Sequence, residues 1–174
     1  IVSSIPKLVT LRILKPALEL DEPLRVVCRE GDLESMLGEL ALHRLDLLLS
    51  DRPLPAGTSV KAYNHPLGDS GINLFAHESI AGQYCQGFPG SLDGAPMLLP
   101  ALESPLRRNL EDWFDAINVR PRALAEFDDS ALLKAFGNDA LGVFPAPACI
   151  TEEVVSMYHS RLVGSIDSIR ESFF

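Results

Sequence analysis

The sequence predicts an α/β chain of two lobes joined by two crossings. Three observations carry this. Strand-like apolar runs alternate with helix-periodic segments twice over. The chain changes character after residue 76, where Gly and Pro accumulate. The stretch 126–147, EFDDSALLKAFGNDALGVFPAP, reads as strand, short helix, strand. A βαβ unit of this kind forces parallel strands, and parallel sheets open ligand clefts at the carboxyl ends of their strands.

In chain order, residues 1–4 read as the end of a strand. Ser4 and Pro6 suit a helix start. Leu8, Leu11, Leu14 and Leu18 recur at helical spacing over Lys7–Leu18, with Pro16 expected to disturb or end the helix. Residues 24–28 form a Val-rich strand. Asp32 caps a helix over 33–42 that turns Leu33, Leu37, Leu40 and Ala41 inward. Residues 45–49, with three consecutive leucines, predict a strand covered on both faces. After a loop over 50–57, strands are expected at 60–63 and 72–76.

The second lobe repeats the alternation. It has a weak helix over 80–86, a Gly- and Pro-rich passage over 88–96, a strand at 97–99 and a helix from Pro105 through Leu106, Leu110, Trp113, Phe114 and Ile117. Ala123 begins the next strand, and Leu132, Leu133 and Phe136 share one side of the short helix. A helix at 151–158, with Thr151 as cap, and a strand at 162–166 complete the order. The boundaries expected are 1–75 for the first lobe, 76–147 for the second, and 148–174 for the return.

The chain has 174 residues, 47% hydrophobic and 22% charged, an ordinary globular balance. No apolar run approaches a bilayer span, so neither membrane insertion nor a membrane partner is expected. A net charge of −9, with 15 scattered Lys and Arg, excludes a phosphate-binding surface on this chain. Cys28, Cys85 and Cys149 lack metal spacing and predict a reduced compartment. The start IVSSIPKLV has no initiator Met and no signal-peptide pattern, and the chain stops on Phe173 and Phe174, so a piece of a longer polypeptide is expected.

Candidate site residues cluster at predicted strand ends. Ser3 and Ser4 stand at a helix start, where an anion or a simple cap is served. Ser50 and Asp51 follow the 45–49 strand and face either the cleft or solvent. Glu126, Asp128 and Asp129 form an acidic group suited to a hard cation, to acid–base work, or, for one of the aspartates, to capping the helix from Ser130. Ser104 caps its helix or meets a ligand. The four histidines, of which His65 and His77 lie near the expected crossing, show no metal-binding pair. No nucleophile, base and orienter are arranged for catalysis, so the chain is not expected to be an enzyme.

The segments IPKLVTLRILKPAL, LRVVCREGDLESMLGELALHRLDLLLSDRPLP, SLDGAPMLLP with SPLRRNLEDWF, and EFDDSALLKAFGNDALGVFPAP resemble the effector-binding domain of LysR-type transcriptional regulators, in the NhaR-like branch. The resemblance spans essentially the whole chain. It implies two Rossmann-like lobes of the type 2 periplasmic-binding-protein kind, with an effector held between lobes. It implies an effector site of Ser3, Ser4, Ser50, Asp51, Ala101, Ser104, Phe127, Asp128 and Ala146. Ala101 is apolar where many relatives are polar.

It further implies a cytoplasmic activator that works as a homodimer or tetramer. DNA would be bound through a winged helix-turn-helix that this chain lacks, and RNA polymerase would be a partner. No cofactor is expected beyond a small-molecule effector or a sodium ion, the latter held by Asp51, Glu126 and Asp128 in control of a sodium/proton antiporter gene. The alternative is a solute-binding receptor of the same fold, marked by a signal peptide upstream.

Overall fold

The computed structural model describes every residue from 1 to 174 except Pro23, Ala56 and Ser59, so Ala56 of the expected 50–57 loop lies outside the described residues. The chain divides into two compact units, Ile1–Asp69 with Ser172–Phe174, and Ser70–Glu171. The expected lobe boundaries at 75/76 and 147/148 therefore differ from the divisions between compact units, and residues 148–171 stay with the second unit.

In the first unit, α1 (Lys7–Leu18) starts at Pro6 and has no side-chain cap. Pro16 does not break it, because it lies in the last turn and Glu19 N–H closes onto the Pro16 carbonyl at 3.2 Å. The buried stripe is Ile5 and Val9, with Ile13 half-buried. These are spaced four apart, while the expected Leu11 and Leu18 face solvent. Helix α2 (Leu33–Ala41) is capped as expected, by Asp32 accepting from Ser35 N–H at 2.9 Å. The Ser35 hydroxyl and amide hold the Asp32 carboxyl below its usual range. Met36 is its most buried residue, rather than the leucines beside it.

The expected strands 24–28, 45–49 and 60–63 do not form ladders among the described residues. What remains is a chain of single contacts. Val2 bridges Gly31 in parallel and donates to the Leu49 carbonyl at 2.9 Å. Ser50 and Phe174 exchange both backbone bonds, and Leu67 N–H reaches the Phe173 carbonyl at 2.8 Å.

The second unit is regular. Strand β1 (Gly68–His77) enters it, followed by α3 (Glu78–Cys85), β2 (Pro96–Pro100), α4 (Pro105–Ala116), β3 (Arg122–Phe127), α5 (Ser130–Asn138), β4 (Phe144–Pro147), α6 (Thr151–Met157) and β5 (Ser160–Phe173). β2 and β3 are parallel neighbours, while β4 and β1 pair antiparallel beside β5. A parallel bridge between Met97 and Val143 links the two groups. The expected βαβ unit is present, but β2 lies between its two arms: β3 pairs one edge of β2 and Val143 the other.

Side chains of β1 alternate between two cores. Ile72, Leu74 and Ala76 join Ala81 of α3 and Leu106, Leu110 and Phe114 of α4. On the opposite face Phe75 stacks on Phe144 with ring centroids 5.8 Å apart. Gly137 of α5 sits against that Phe144 ring. A Cβ built at Gly137 would lie 2.3 Å from it. We expect Gly137→Ala to cost unit 2 about 1–3 kcal/mol by overpacking, measured as a lowered denaturant midpoint. An unchanged midpoint would show that the ring moves freely.

Candidate functional site

Each unit carries its own rim of sequence-predicted residues. In the second unit the rim is built where β2 and β3 end. Their last residues, Pro100 and Phe127, are register partners. One residue on, Ala101 N–H donates to the Phe127 carbonyl at 2.9 Å, and Ser104 N–H to the Ala101 carbonyl at 3.0 Å. The chain thus turns tightly into α4. Ser104 takes the N-cap position with an extended backbone, yet its hydroxyl makes no cap bond, and Pro105 follows at the first turn. This half-buried hydroxyl and the Leu106 N–H of the uncapped first turn, where Pro105 has no hydrogen and Arg107 N–H bonds the Ser104 carbonyl, offer hydrogen-bond donors to an anion or a polar group.

The next helix start is different. Asp129 accepts from Ala131 N–H at 2.6 Å and Leu132 N–H at 3.3 Å, so it is the capping aspartate. Asp128 stays exposed on the rim. Phe127 packs edge-on against Phe136 at 4.9 Å, giving the rim an aromatic floor. Burial, with Asp129 close by, raises the Tyr158 hydroxyl above its ordinary pKa.

Two predicted residues are placed otherwise. Ala146 is 1% exposed inside β4, opposite Asn73, so its side chain has no open surface. Glu126 is engaged by Arg107, whose Nη2 donates to Glu126 Oε1 at 2.9 Å. Arg107 is a residue that sequence reasoning missed. It is 6% exposed on α4, and its Nε donates to Glu111 at 2.7 Å and its Nη1 to the Pro100 carbonyl at 3.0 Å. Burial works against its charge, but the bonds to Glu126 and Glu111 outweigh it, and its pKa is raised. The signal available was Arg107 beside Leu106 on a buried stripe, with Glu111 four residues on.

In the first unit the structure brings the predicted pairs together. The Ser4 hydroxyl donates to Asp51 Oδ2 at 2.7 Å, so it is diverted from the cap role expected of it. Arg52 Nε holds the other oxygen, Asp51 Oδ1, at 2.9 Å. The Ser50 hydroxyl donates to the Arg52 carbonyl, and that of Ser3 to the Gly31 carbonyl at 3.0 Å. Asp51 is thus a fixed, mostly buried acceptor at the end of the 45–49 segment. Among the described residues no three His, Cys, Asp or Glu side chains gather as a metal site.

The family model for the LysR substrate binding domain matches residues 1–163. The chain belongs to that family. The expected fold class, α/β of the type 2 periplasmic-binding-protein kind, is the one LysR effector-binding domains have. The transcriptional activator protein NhaR of Escherichia coli (strain K12) is 27% identical over 161 residues, covering 92% of this chain and 52% of that protein. The chain spans about half the length of the curated relatives it matches.

Solved LysR structures share the fold. DarR of Vibrio fischeri, in complex with DNA, superposes with a TM-score of 0.72 at 17% identity, covering 99% of this chain and 59% of that one. The regulatory domain of CcmR from Synechocystis PCC6803, in complex with 2-PG, gives 0.68 at 14% identity over 99% of this chain and 82% of that one. Against this LysR frame, α4 and α5 begin at the carboxyl ends of β2 and β3, where parallel-sheet folds bind ligands.

Proposed function

We propose that this chain is the effector-sensing part of a LysR-type transcriptional activator. The observation that carries this reading is the rim at Ala101, Ser104, Phe127 and Asp128, set at the carboxyl ends of parallel strands in a LysR domain and holding a serine hydroxyl not spent on its helix. The effector is a small polar molecule or ion that meets the Ser104 hydroxyl and the Leu106 amide. It acts by favouring one arrangement of the full-length protein over another, and a tenfold preference biases that equilibrium by about 1.4 kcal/mol. DNA is reached through another part of that protein, in the cytoplasm and as a homo-oligomer, with RNA polymerase as the responding partner. The chain senses and does not catalyse. The relatedness to a transcriptional activator favours this reading over an exported solute receptor.

Sodium is the first effector to test. Asp128 is the exposed carboxylate of the second rim, Asp51 is already engaged by Ser4 and Arg52, and the Glu126 carboxylate is shared with Arg107. Transcription from the promoter controlled by the full-length protein would be followed in sodium chloride and in potassium chloride at equal ionic strength. The expected result is a sodium-specific response that Ser104→Ala and Asp128→Ala each weaken by about threefold or more, with DNA binding unchanged. A response that survives deletion of this domain would overturn the sensing role. One that is equal in both salts would overturn sodium.

A further inference from the structure

Arg107 joins three pieces of backbone that sequence separates. Its guanidinium meets the final carbonyl of β2 at Pro100, the Glu126 carboxylate next to the end of β3, and Glu111 one turn further along its own helix. Its own N–H also donates to the Ser104 carbonyl at 3.1 Å. The bonds to Pro100, Glu126 and Ser104 lie beside the turn 101–104 or beside Phe127 and Asp128, and the bond to Glu111 anchors the guanidinium on its own helix. Stability alone does not explain such a residue. Its carboxylate partners Glu111 and Glu126 are 48% and 41% exposed, so the ion pairs themselves add little stability, and position 107 lies on the buried stripe of Leu106 and Leu110. An apolar side chain cannot address three acceptors in fixed directions, as a planar five-donor fork does.

We propose that Arg107 is a positioning residue that locks the ends of β2 and β3 to the start of α4, and so presets the rim that receives the effector. It does not itself touch the effector. This rests on the rim reading given under Proposed function, and the experiment separates the two.

Amide hydrogen exchange of this chain without effector would be compared for the wild type, Arg107→Met, Arg107→Lys and Glu126→Ala. In Arg107→Met the amides of Ala101 and Ser104 should exchange about tenfold faster or more, while those of Leu98 and Leu110 stay within about twofold. Arg107→Lys keeps the charge but loses the fork and should fall between. Glu126→Ala removes one arm from the exposed side, which leaves the core intact, and should loosen Ala101 alone or most. Parallel acceleration of all four amides would reduce Arg107 to a general stabiliser, and unchanged Ala101 and Ser104 amides would refute the clamp. The sodium-dependent reporter response of the full-length protein is the second readout. Arg107→Met should move its midpoint by about threefold or more, and an unmoved midpoint with loosened amides would overturn the presetting role. Failure of Ser104→Ala to change that response would instead sink the effector reading, and the exchange pattern would still decide the clamp.

Discussion

Phe144→Ala is expected to destabilise the second unit by about 3–5 kcal/mol. The ring is fully buried, stacks on Phe75, and has the Gly137 backbone pressed against it. That glycine leaves no side chain to swing into the space, and Phe75 is held in β1 by its register with β4. The cavity should therefore stay open rather than collapse. Calorimetry or denaturant unfolding would show it as a lower transition of unit 2. A loss under about 1 kcal/mol would mean that the neighbouring helix closes the gap. Phe144→Leu should cost clearly less, because most of the volume is kept.

Asp51→Ala is expected to weaken the first unit by about 1–3 kcal/mol. The carboxylate is about 10% exposed and gathers the Ser4 hydroxyl and the Arg52 guanidinium. Removing it leaves a half-buried hydroxyl and a cation without their acceptor. Because Val2 and Leu49 are tied by one backbone bond in the same place, the loss should also speed amide exchange at Val2. Asp51→Asn keeps an acceptor for Ser4 and should retain part of the stability. Equal losses in the two variants would locate the effect in the charge and not in the hydrogen bond.

How far the sequence disclosed the molecule varies with the physics of each element. Helices α1, α2, α4 and α5 were legible because periodicity and caps are local: Asp32 and Asp129 cap where their positions predict. The strands of the first unit were not. A run such as LDLLL states that apolar residues are adjacent, and it does not state whether a neighbouring strand lies beside them. In the structure Leu49 is buried while Leu47 is 66% exposed. The sequence predicts only a short strand at 162–166, and β5 extends over Ser160–Phe173. Its buried residues Ser160, Val163, Ile166 and Ile169 recur every third position, which matches neither the strand period of two nor the helix period of 3.6.

Site residues followed the same division. The strand-end rule and the LysR resemblance name Ser4, Asp51, Ala101 and Phe127, and in the structure Ser4 bonds to Asp51 and Ala101 to Phe127. Arg107 was missed because its partners lie on β2 and β3, at separations that no local pattern encodes. The LysR resemblance alone assigns Ala146 to the site, and its burial depends on β4 pairing with β1, a long-range event.

The two prolines of β4 have a consequence for where the second rim opens. Val143 N–H donates toward β2, to the Pro96 carbonyl at 2.8 Å. Backbone N–H groups point to the same side at every second residue of a strand, so the next two that would point toward β2 belong to Pro145 and Pro147, and neither has a hydrogen to give. The ladder between this segment and β2 halts at one bridge. Two absent hydrogens thus act as a zipper stop. Beyond it, the last residues of β2 are released from further pairing on that flank, and the Pro100 carbonyl is taken up by Arg107. The mouth of the rim is set as much by where the chain cannot bond as by where it does.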